Sequence, residues 1–116
     1  MSTQERLRAL RAAKELRGLT TAQLQRLMPY FDEQCITAGE QLALEGGLCH
    51  QFVIVASGSL ETCRQGRPGT LGPGGTFGWQ AMRDRGVYDA SVYAGSLAHL
   101  LVMSHDQFRA VDALAR

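Results

Sequence analysis

Apolar positions along the chain change their spacing once, near residue 34. Before it they fall at helical intervals. Leu7, Leu10 and Leu16 sit among Arg and Lys, and Leu24, Leu27, Met28 and Phe31 follow at i, i+3, i+4 and i+7. Ser2 with Glu5, and Thr20 with Gln23, place capping-box signatures at the start of these two segments. Pro29 has no N–H to donate, so the second helix is expected to bend or end near Met28. From Gln34 onward the chain reads as short strands broken by glycine. Gln41–Leu44 alternates, with Leu42 and Leu44 expected on one side. Gln51–Ala56 is a nearly continuous apolar run, as in a strand covered on both faces. Leu60–Arg64, Gly69–Leu71, Thr76–Phe77, Ala90–Ala94 and His99–Met103 supply further short strands. Strands spaced by roughly ten residues predict a sandwich or barrel. Ser104 with Gln107 then opens a closing helix carrying Phe108, Val111 and Leu114. The expected fold is mainly β with flanking helices: a jelly-roll or double-stranded β-helix, with a helical entry over residues 1–33, a β-roll over 34–103 and a short helix over 104–116.

Composition narrows the class. With 116 residues, 45% of them hydrophobic, the chain fits one domain over 1–116 that can build a core without disulfides or metal. A formal net charge of +1 gives no general basic surface for nucleic acid. The chain stops about one turn beyond Leu114, which leaves no room for a DNA-reading helix-turn-helix, so direct nucleic-acid binding is not expected. No apolar run is long enough to span a bilayer and the N-terminus stays charged, so the expected address is the cytoplasm, without membrane contact. The positive charge is local: six basic against two acidic residues before Pro29, six against nine from there on. A solvated helix face accounts for that excess, and an anionic partner surface is the alternative.

The residues for catalysis or metal binding are sparse. Cys35, Cys49 and Cys63 cannot all pair within one chain and form no CxxC, so they are read as reduced, packed thiols. Their equal spacing of 14 suggests a cluster, but separations that long carry no local ligand geometry. His50, His99 and His105 form no His-x-His pair of the kind cupin metal sites use. Cys49 and His50 are adjacent and would point to opposite faces of a strand, which argues against a Cys–His dyad. No nucleophile elbow or Walker-type loop is present, so no enzyme, metal or cofactor is expected.

The most informative stretch is Leu71-Gly72-Pro73-Gly74-Gly75-Thr76-Phe77-Gly78-Trp79-Gln80-Ala81-Met82, followed by Tyr88-Asp89-Ala90-Ser91-Val92. A glycine-rich turn entering a short helix aims free backbone N–H groups at a ligand. Together with Ala38-Gly39-Glu40, Glu45-Gly46 and Phe52–Leu60, this resembles the cyclic nucleotide-binding domain, the β-roll of the catabolite activator protein and of protein kinase regulatory subunits. The resemblance covers nearly the whole chain and implies a non-catalytic regulatory module with a small-molecule pocket. In that family the cassette reads Phe-Gly-Glu-x-Ala-Leu, then an Arg before a small residue and Ala. The Glu holds the ribose and the Arg pairs with the cyclic phosphate.

This chain matches at Phe77, Gly78, Ala81, Met82, Ala90 and Val92, with Ser91 between the last two, and departs at the two ligand-holding positions. Trp79 replaces the Glu, Tyr88 replaces the Arg, and Asp89 puts an acid beside them. A carboxylate ~4 Å from a phosphate repels it by about 4 kcal/mol at an effective dielectric near 20. Trp79 and Tyr88 are expected at the pocket mouth, either stacking on a flat ligand or filling the cavity. The expectation is a domain that does not bind cAMP in the usual way. Its partner would then be another protein, or a second copy met through the N-terminal helices. One alternative is a true cAMP or cGMP sensor in which Arg83, Arg85 and backbone amides hold the phosphate. A second is a haem or redox sensor of the same superfamily, with Cys35, Cys49, Cys63 and His50 as candidate ligands.

Overall fold

The computed structural model describes residues 1–115. Two helices open the chain, α1 (Thr3–Ala12) and α2 (Thr21–Leu27), with 3-10 turns at Lys14–Leu16 and Met28–Tyr30. Eight strands follow: β1 (Asp32–Ile36), β2 (Gln41–Ala43), β3 (Phe52–Ser57), β4 (Leu60–Arg64), β5 (Arg67–Leu71), β6 (Thr76–Phe77), β7 (Ser91–Ala94) and β8 (Ala98–Met103). A short helix α3 (Trp79–Asp84) interrupts them, and α4 (His105–Ala115) closes the chain. The strands form two antiparallel four-stranded sheets, in the orders β1-β8-β3-β6 and β2-β7-β4-β5. The chain thus crosses repeatedly between sheets, which is the jelly-roll expected from the sequence. The roll starts at Asp32, two residues before the change in spacing.

The capping expectations hold to different degrees. Thr20 and Gln23 form the full reciprocal box, whereas Ser2 accepts from the Glu5 N–H with no return bond from the Glu5 side chain to Ser2. At the last helix, Gln107 Oε1 accepts from the Ser104 N–H at 2.9 Å. Pro29 acts as expected, since α2 stops at Leu27 and the chain tightens into the 3-10 turn. The basic face of the entry segment is partly tied down. The Arg6 guanidinium donates to the carbonyls of Met28 and Phe31, at 3.2 and 2.7 Å, and Arg11 donates to Thr21 Oγ1 at 2.6 Å.

Phe52, Val53, Ile54 and Val55 of β3 are fully buried, the predicted two-sided strand, because α1 covers the face turned away from the second sheet. One expectation fails at β2. Ala43 is the inward residue there, while Leu44 is 60% exposed, because the strand ends at Ala43 and its pairing with β7 shifts register between Gln41 and Ala43. Cys35 also departs from the packed-thiol reading: it lies on the exposed side of the edge strand β1. Phe108 and Val111 seat α4 on the core; Arg116 and the side chain of Leu114 lie outside the described residues.

Candidate functional site

The site begins where β6 ends. Gly78 takes φ +95°, and a Cβ there would stand 2.6 Å from the Gln51 carbonyl oxygen, so only glycine lets the chain turn here. The turn starts α3, which ends at Arg85 in a left-handed conformation. The return segment is stitched to residues 45–49. Gly46 N–H donates to the Tyr88 carbonyl and Tyr88 N–H to the Gly47 carbonyl, both at 2.9 Å. The buried Ser91 hydroxyl accepts from Glu45 N–H at 3.0 Å. These bonds hold the cassette against the roll.

Between α3 and the second sheet runs a groove of about 700 Å³. Its walls include Phe77, Gly78, Trp79, Ala81, Tyr88, Asp89 and Ala90 from the cassette, Thr62 and Arg64 of β4, and Lys14 and Glu15 of the first 3-10 turn. Its size suits a nucleotide-sized molecule. A smaller cavity of about 420 Å³ lies between α1 and the Pro73-Gly74 corner, with no cassette residue in its lining.

Trp79 and Tyr88 face different ways. Trp79 packs edge-on between Phe52 of β3 and Phe108 of α4, with ring centres 5.1 and 4.8 Å apart. It therefore bridges the core and the last helix. Tyr88 is 6% exposed, and its hydroxyl accepts from the N–H groups of His50 (3.2 Å) and Gln51 (3.4 Å) and donates to the Gln51 carbonyl. Burial pushes the Tyr88 phenol above its ordinary value, partly offset by the bond from His50 N–H. Burial likewise raises the Cys49 thiol beside it, against a lowering contact with Tyr88. Both groups stay neutral at neutral pH. Phe77 stands 6.0 Å from Tyr88 at a tilt, and Met82 is buried under α3.

The charges are distributed differently from the sequence expectation. Asp89 meets Arg64 of β4 at 3.6 Å. Arg83 turns the other way, to Asp112 on α4 at 3.5 Å. Arg85 caps α3 on the exposed surface, and neither Arg83 nor Arg85 is part of the groove wall. The groove's cations are instead Arg64 and Lys14. Sequence reasoning missed them because neither lies in the cassette. The available clue was the Arg64-Gln65-Gly66-Arg67 pattern, a two-residue hairpin in which both turn residues have positive φ. That turn fixes Arg64 at the strand end next to Cys63, which pairs with Ser91.

Glu15 accepts from the Thr76 hydroxyl at 2.8 and 2.9 Å, which ties the entry segment to the strand that leads into the cassette. The candidate redox residues are dispersed: Cys35 is exposed on β1, Cys49 is buried, and Cys63 lies on β4 in the other sheet. Among the described residues no three His, Cys, Asp or Glu side chains come together as a metal-holding group. Cys49 and His50 sit in a loop rather than a strand, the thiol buried and the imidazole exposed.

A two-sheet antiparallel roll, interrupted after Phe-Gly by a short helix that faces a groove, places the chain in the class of β-rolls. The cyclic nucleotide-binding domain profile matches residues 33–113, and the chain belongs to that family. Among similar solved structures is the regulatory domain of Toxoplasma gondii PKA with cAMP, at 27% identity and TM-score 0.83 over 95% of this chain. Another is the Thermus thermophilus catabolite activator protein, at 25% identity and TM-score 0.77 over 86% of this chain. The chain spans 45% and 50% of the lengths of those two proteins. Domains of this family are regulatory modules. Among the described residues no helix is long and apolar enough to cross a membrane.

Proposed function

We propose that this chain is a regulatory domain whose cassette does not grip a cyclic nucleotide by the family's two side chains, and serves instead as a fixed strut between the roll and α4. The observation that carries the reading is the use already made of both positions. The Trp79 ring is packed between Phe52 and Phe108, and the Tyr88 hydroxyl is bonded to the main chain of residues 50 and 51. A tyrosine so placed offers neither the charge nor the fork that makes arginine a phosphate ligand. Its regulatory output is then a protein contact, made in the cytoplasm with a partner chain or a second copy through the N-terminal helices.

The test is to restore the family's residues together. Trp79→Glu, Tyr88→Arg and Asp89→Ala in one chain should create cAMP affinity measurable by calorimetry, while the parent shows none. Binding of cAMP by the parent would refute this reading, as would a triple variant that stays folded and binds none.

A further inference from the structure

Arg64 and Lys14 are the cations in the groove wall, and their partners differ. Lys14 makes no ion pair among the described residues, whereas Arg64 is held by Asp89 at 3.6 Å. The other groove carboxylates are engaged elsewhere, Glu15 with the Thr76 hydroxyl and Asp84 with the Gln80 amide. Asp89 directly follows Tyr88, the position that the family resemblance aligns with its phosphate arginine. The Arg64 guanidinium therefore reaches that neighbourhood from β4, and Asp89 cancels it there.

We propose that Arg64 is the specificity-determining residue of the groove and Asp89 its built-in counter-ion: the pair keeps organic phosphates out, and freeing Arg64 alone admits them. This rests on the reading above that the cassette's own two side chains no longer hold the phosphate. The pair is open to solvent, with side chains 67% and 74% exposed, so parting it costs little; it is the Asp89 charge beside the guanidinium that repels a phosphate, and removing that charge leaves Arg64 free to take one. Arg64 supplies the planar fork that Tyr88 lacks, and Lys14 adds a second positive charge on the same groove.

The experiment measures binding of cAMP and of 5′-AMP to the full chain by calorimetry. Asp89→Ala should show measurable binding of both probes where the parent shows none, because one nearby negative charge has been removed. Adding Arg64→Gln to Asp89→Ala should abolish that gain, and Arg64→Lys should retain part of it. Arg83→Gln or Arg85→Gln in the same background should leave the gain intact. All four positions are exposed, so folding is expected to survive, and thermal unfolding checks this for each variant. The proposal is overturned if Asp89→Ala gains nothing, if the gain persists without Arg64, or if Arg83 or Arg85 carries it. The two failures are distinguishable: binding of cAMP by the parent overturns both readings, whereas a non-binding parent with no gain that depends on Arg64 overturns this inference alone.

Discussion

Tyr88 is a buried residue whose polar end is fully engaged by the main chain. Its hydroxyl pairs with the main-chain N–H groups of His50 and Gln51 in a partly buried place and shares the Gln51 carbonyl with the Cys49 thiol. Tyr88→Phe should therefore lower stability by about 1 kcal/mol, seen as a drop of a few degrees in Tm. The same burial has a pH signature. Tyr88 and Cys49 are both raised in the folded chain above their ordinary values of 10.0 and 9.0, so the unfolded chain loses these protons first as pH rises. Stability from these groups is complete below about pH 9 and declines above it. Thermal unfolding between about pH 7 and about pH 10 should show that decline, and Tyr88→Phe with Cys49→Ala should flatten it. At neutral pH the exposed Cys35 should react with a maleimide first and the buried Cys49 last, read by mass spectrometry of peptides.

At the scale of elements, α4 is held both to α3 and to the loop that precedes β3. Trp79 and Phe108 pack together, Arg83 pairs with Asp112, and the His105 imidazole meets the Cys49 carbonyl at 3.0 Å. Phe108 is nearly fully buried, so Phe108→Ala should cost about 3 kcal/mol. Trp79 is the single tryptophan, so its emission should shift to longer wavelength in that variant as water reaches the ring. An unchanged spectrum would show that α4 does not shelter it. Much of this level was legible in advance. Strand β3, the Pro29 stop, the β4–β5 hairpin and the Ser104 start all follow from short-range pattern and backbone chemistry. The side on which Trp79 packs was not, because it depends on Phe52 and Phe108, which lie far from it in sequence. The pairing of Arg64 with Asp89 was hidden for the same reason: it arises from strand register across β4 and β7.

For the whole molecule, the roll, the glycine corners and the family membership follow from motifs that cover most of the chain. The central claim is that the cassette in its present form does not take a cyclic nucleotide. The most direct test is thermal unfolding of the unmodified protein with and without millimolar cAMP and cGMP. A ligand at 100 times its dissociation constant adds about 2.7 kcal/mol, a shift of several degrees for a domain of this size. The account predicts no shift with either nucleotide. A clear shift of that order would contradict it and return the groove to the family's ordinary ligand.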